Sequence, residues 1–182
     1  MTDDRLRFIA ASGLAVGALL GMAGSFAPTA ELRALAWGID GISIIVACAL
    51  LAVHHLRRGD VHLSAGFLAF LVAEAVVTSG VAVDPAAFAP TFAAGAGMWA
   101  AALALISASA TVPMFVRATG AIASVLLAVT AVWSFVGANL NPLSKPLPFY
   151  AFPFLALTLF GWAWMHLRPV PARPLPSAID GT

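Results

Sequence analysis

The sequence predicts an all-α polytopic membrane protein, a bundle of six transmembrane helices within residues 1–168, followed by a short proline-rich tail. Three observations predict it. The chain of 182 residues is 62% hydrophobic and only 9% charged, whereas a soluble domain carries about a quarter charged residues and needs that polar surface to cover its core. The apolar residues gather into runs of about twenty, the length of helix that crosses a hydrocarbon core of roughly 30 Å. These runs are continuously apolar rather than alternating, which favours helices over the strands of a barrel.

Six runs can be drawn, with approximate limits 8–27, 35–56, 63–83, 91–112, 118–138 and 149–167. The first carries Gly13, Gly17 and Gly21 at a spacing of four, a stripe that lets two helix backbones approach closely. An internal contact is its expected use, with pairing of two copies as the alternative. Ser25, Phe26 and Ala27 look like a cleavage site for a signal peptide. The full-length apolar run and the acidic Asp3 and Asp4 ahead of it argue for a retained span instead. The second run follows "PTAELR" and ends at His54, His55, Arg57 and Arg58. It contains Asp40 between Gly38 and Gly41, and the single cysteine, Cys48, which reads as a small core residue. One cysteine allows neither an internal disulfide nor a multi-cysteine metal site.

The third run follows "RRGDVH" and contains Glu74. The fourth follows "VDPAAFAP"; its many small residues predict a central position, and Pro113 is expected to end it. The fifth follows "VPMFVR". The sixth follows "NLNPLSKPLP", and Pro153 is expected to bend its first turns. Residues 169–182, rich in proline, are expected to form a flexible cytoplasmic tail.

Six spans put both termini on one side. Arg5, Arg7, Arg57, Arg58, Arg117, Arg168 and Arg173 then fall on that side, with Arg33 and Lys145 on the other. The bias predicts cytoplasmic termini in a bacterial-type inner membrane. The net charge of +1 gives no basic field for nucleic acid.

The informative residues are polar ones inside the spans. Asp40 lies roughly 8 Å and Glu74 roughly 13 Å below the outer ends of their spans, at 1.5 Å per residue. Antiparallel neighbouring helices bring two carboxylates at such depths together. Neither has a lysine or arginine one turn away, and Arg33 is the nearest, two turns from Asp40. Ionised carboxylates cost about 2.5–3.5 kcal/mol at the centre of a span, so the acids must be protonated or face water. Trp37 shares the face of Asp40, and Thr78 shares that of Glu74. Trp99, Trp133 and Tyr150 lie at similar depth. Together these residues predict a small polar cavity open to the outside, with Trp37, Trp133 and Tyr150 alternatively serving as interface anchors.

At the opposite end, His54 and His166 can approach one another and are the candidates for axial haem ligation. No third ligand for a metal site is evident, and no cofactor is expected. There is no phosphate loop, no "HExxH" and no serine at a nucleophile elbow. No lysine lies inside a span, which excludes a retinal Schiff base.

Three function classes follow, in order. The first is permeation or proton-coupled transport of a small solute using Asp40 and Glu74. The second is an accessory or assembly subunit, working as a homo-oligomer or beside a membrane-complex partner. The third is a haem or quinone redox protein.

Overall fold

The computed structural model describes residues 3–80 and 84–168; the proline-rich tail and the last residues expected in the third span lie outside them. The described residues form six helices: α1 (Asp3–Ser25), α2 (Ala30–Arg57), α3 (Val61–Thr78), α4 (Ala89–Ala108), α5 (Met114–Phe135) and α6 (Phe152–Leu167). No strand occurs among the described residues. Five helices are long and apolar enough to cross a membrane, and α6, with 16 residues, is the short one.

The chain chemistry explains where these helices begin. Asp3 and Asp4 occupy the first turn of α1, where carboxylates complement the helix dipole, so the helix starts five residues before the apolar run. Thr29 caps α2 by accepting from the Leu32 amide at 3.3 Å; most of "PTAELR" is therefore helix rather than loop. Asp60 caps α3 in the same way, accepting from Leu63 at 3.3 Å. Gly59, at φ 78°, makes the tight reversal between α2 and α3, in a conformation that glycine alone adopts without cost.

Two expectations about proline are corrected. Pro113 does not end α4, which stops at Ala108 as Ser109 turns extended; Pro113 is the residue from which α5 starts. Pro153 stands in the first turn of α6, where a helix has no use for the missing N–H, so it removes no hydrogen bond.

The helices form a closed ring in chain order: each packs on its neighbours in sequence, and α6 returns to α1. Among the described residues, the backbone of helix α4 approaches only the helices α3 and α5 closely. It is one stave of the ring and not its centre, which corrects the expectation from its small residues. Those residues serve its two flanking contacts. For example, a methyl group on Gly95 would collide with Val77 of α3.

The apolar surface is distributed inside out. Phe8, Leu19, Ile42, Leu68, Val125 and Leu157 are exposed on the outer face of the ring, an extent of apolar surface suited to lipid. The interior is filled by Phe67, Phe70, Phe92, Leu14, Leu103 and Trp162, all nearly or wholly inaccessible. The protein is a membrane-embedded helical bundle.

The glycine stripe is consumed within the chain. Gly13 faces Ser43 and Ala47 of α2, Gly17 faces Ile44, and Gly21 faces Asp40. This interface joins α1 to α2.

Candidate functional site

Antiparallel packing brings the C-terminal ends of α1 and α3 beside the N-terminal ends of α2, α4 and α6. Between them lies a cavity with about 80 Å³ open to the centres of water molecules, well above what a single water requires. Much of its wall is apolar, including Met22, Ile44, Phe92, Phe152 and Leu155, and Pro142 from the α5–α6 connection adds to it. Its polar lining consists of Ser25, Trp37, Asp40, Glu74, Thr78 and Trp99.

The two acids both line this cavity, yet their surroundings differ. Glu74 is 4% exposed and both its oxygens are occupied. Oε2 accepts from Trp99 Nε1 at 3.1 Å, and Oε1 accepts from Thr78 Oγ1 at 3.3 Å. Asp40 is half-buried and has no hydrogen-bond or ion-pair partner among the described residues; its Oδ1 is fully buried without one. A methyl group on Gly21 would lie 2.8 Å from Oδ2, and one on Gly17 3.1 Å from Oδ1. The glycine stripe therefore provides the space that the carboxyl group occupies. Arg33 does not neutralise Asp40. Its Nη2 donates to the Ala27 carbonyl at 3.4 Å and its guanidinium lies 5.9 Å from the Trp37 ring centre. Glu74 is thus a fixed, satisfied group, and Asp40 is the one left without a donor.

Trp37 is held across Gly24 and donates its Nε1–H to the Gly21 carbonyl at 3.2 Å. Of the residues the sequence assigned to the cavity, Asp40, Glu74, Thr78, Trp37 and Trp99 line it, and Trp133 and Tyr150 do not. Trp133 and Tyr150 are 50% and 57% exposed on the outside of the bundle, positions suited to interface anchors. The reason is rotational: no lining residue comes from α5, so Trp133 has the right depth on a helix whose other face points inward. Sequence reading missed Phe92, Phe152 and Leu155, which are indistinguishable from ordinary core residues without the ring.

At the other end of the ring, three histidines meet. Ring centres of His54, His55 and His166 lie 5.2, 5.4 and 6.1 Å apart pairwise, and all three side chains are buried. His54 Nδ1 lies 2.8 Å from Asp3 Oδ1, and Arg7, also buried, donates to the Arg168 carbonyl. The close partner of His166 is His55, at 3.1 Å between their Nε2 atoms. His166 Nδ1 lies 2.7 Å from the Trp162 carbonyl. Both nitrogens of His166 are therefore committed, and its hydrogen-bonded partner is His55 rather than His54. No three His, Cys, Asp or Glu side chains are grouped to hold a metal ion among the described residues.

The hydrogen bonds also determine the tautomers of the neutral rings. A carbonyl only accepts, so His166 carries its proton on Nδ1 and presents a bare Nε2; His55 must then donate from Nε2. Long-range ¹H–¹⁵N spectra of histidine-labelled protein, at a pH where both rings are neutral, are expected to show opposite tautomers for these residues. Finding both as Nε2–H would break the assigned pair.

An aromatic septum separates the two ends. Phe67 stacks on His55 at 5.5 Å and meets Trp162 edge-on at 5.1 Å. Trp162 meets Phe70 at 5.3 Å, and Phe70 lies 6.3 Å from Trp99 at the cavity.

No protein family, curated protein or solved structure matches the chain.

Proposed function

We propose that the protein moves a small solute across a bacterial-type inner membrane, coupled to a proton, with Asp40 as the exchanging group. In this reading all six helices span. Helix α6 is only about 24 Å long at 1.5 Å per residue, but it closes the ring between α5 and α1. Arg5, Arg7, Arg57, Arg58, Arg117 and Arg168 cluster at the histidine end, while Arg33 and Lys145 belong to the cavity end. That bias makes the histidine end cytoplasmic, and the cavity faces outward.

The observation that carries the proposal is the buried, donorless Oδ1 of Asp40 beside a cavity of water-accessible size. An unsatisfied buried acceptor costs about 1–3 kcal/mol, more when charged. A structural carboxyl group would be expected to have partners, as Glu74 has. The cost is relieved each time a proton or a solute donor reaches Asp40, and such a binding cycle is what a carrier requires. The septum between the two ends favours a carrier over an open pore in this reading, since Trp162 and Phe67 must part for passage.

Proteoliposomes provide the test. Entry of acetamide, glycerol or guanidinium is followed by light scattering, with internal pyranine reporting protons. Entry of at least one solute above the protein-free rate is expected. It should fall roughly tenfold or more in Asp40→Asn, the worth of one hydrogen bond to a charged group. No entry of any of the three, or unchanged entry in folded Asp40→Asn, sinks the proposal.

A further inference from the structure

The cavity has an unusual polarity: every donor that lines it is already engaged. Ser25 Oγ donates to the Gly21 carbonyl at 3.2 Å, as does Trp37 Nε1, also at 3.2 Å. Thr78 Oγ1 donates to Glu74 Oε1 at 3.3 Å and Trp99 Nε1 to Glu74 Oε2 at 3.1 Å. Each indole has a single N–H and each hydroxyl a single proton, so none has a second donor to offer. What remains for a visitor is acceptor capacity, chiefly the carboxyl group of Asp40. The rest of the wall is aromatic and aliphatic, with the rings of Trp37, Trp99, Phe92 and Phe152 among its lining.

We infer that the cavity selects small organic cations bearing N–H donors, of the ammonium or guanidinium type, and rejects anions. An anion would find two acids and no free donor. A hard metal cation needs about six oxygen ligands or more, and among the described residues no three His, Cys, Asp or Glu side chains are grouped to hold one. An N–H cation satisfies Asp40 by a charge-assisted hydrogen bond and places its remaining surface against aromatic rings, which attract cations through their π faces. The space limits the ligand to a few non-hydrogen atoms, since the cavity holds only about 80 Å³ for water centres.

This inference rests on the cavity being the working site proposed above, and binding is measured separately from transport so that the two can fail separately. Calorimetric titration of the full chain in nanodiscs uses guanidinium chloride and propylammonium chloride, with sodium propanoate as the anion of similar size to propylammonium. Saturable binding of at least one cation and none of propanoate is expected. Affinity should drop by roughly tenfold or more in Asp40→Asn and be largely kept in Asp40→Glu. Where Asp40→Asn does not fold, Ala156→Phe, which fills the cavity from α6, replaces it and should abolish binding. Propanoate binding as tightly as the cations, no saturable cation binding, or cation affinity unchanged in a folded variant overturns the inference. Cation binding without flux preserves it and removes only the carrier reading; flux of uncharged solutes without cation binding does the reverse.

Discussion

Gly41→Ala is expected to destabilise the bundle by about 1–3 kcal/mol, the range for forcing extra atoms into a packed interior, while Gly38→Ala three residues away is neutral or slightly stabilising. Both glycines flank Asp40 on α2. A methyl group on Gly38 meets nothing within 4 Å, so the substitution only recovers helix propensity, about 1 kcal/mol at most. A methyl group on Gly41 collides with the Thr78 hydroxyl of α3, and would also lie 2.7 Å from Cγ2 and 3.0 Å from Cβ of that residue. Because Cβ itself is too close, no rotation of Thr78 relieves the clash; α2 and α3 must separate. Separation also disturbs the bond from Thr78 to Glu74, so loss of stability and loss of the cavity are expected together. Unfolding in mixed micelles compares the two variants. Thr78→Gly itself removes the bond to Glu74, so the check is a double-mutant cycle: Gly41→Ala should cost much less in a Thr78→Gly background than in the native one. An equal cost in both backgrounds means that the clash is not the cause.

Trp162→Ala is expected to cost about 2–4 kcal/mol, and Trp164→Ala about 1 kcal/mol or less. In soluble cores, removing an aromatic side chain costs about 3–5 kcal/mol, part of it from transfer out of water. Lipid removes much of that transfer part and leaves the packing part, which places the expected value lower. Trp162 is 1% exposed and wedged against Phe67 and Phe70. Trp164 is 38% exposed on the outside, edge-on to Phe115 and under the Arg168 guanidinium at 3.4 Å. Two tryptophans two positions apart on one helix thus serve opposite surroundings. The same unfolding assay reads both, and a larger loss for Trp164→Ala would mean that α6 is rotated from the arrangement described.

Much of the site was legible because a helix has a fixed pitch. Counting 1.5 Å per residue from the span ends gave Asp40 and Glu74 similar depths, and the 3.6-residue period put Trp37 beside Asp40 and Thr78 beside Glu74. The glycine stripe was legible for the same reason. Several helix boundaries were less so, because an apolar run marks what sits in lipid and not where hydrogen bonding starts. Thr29 and Asp60 fix the starts of α2 and α3 by capping, and α1 and α5 begin before their apolar runs.

The amino-acid order by itself determined that this chain is a helical membrane bundle, roughly where the helices lie, and which polar groups are buried at what depth. Pitch and the length of apolar runs are local properties, so one strand of sequence contains them. Only the tertiary structure decided which way each helix is turned. That rotation sends Trp133 outward and Trp99 inward at similar depth, pairs His166 with His55 rather than with its neighbour His54, and gives Glu74 two donors while leaving Asp40 none. Neighbouring helical residues differ by about 100° around the axis, and nothing local to one helix says which of those directions faces the ring; the packing of all six helices against each other sets it.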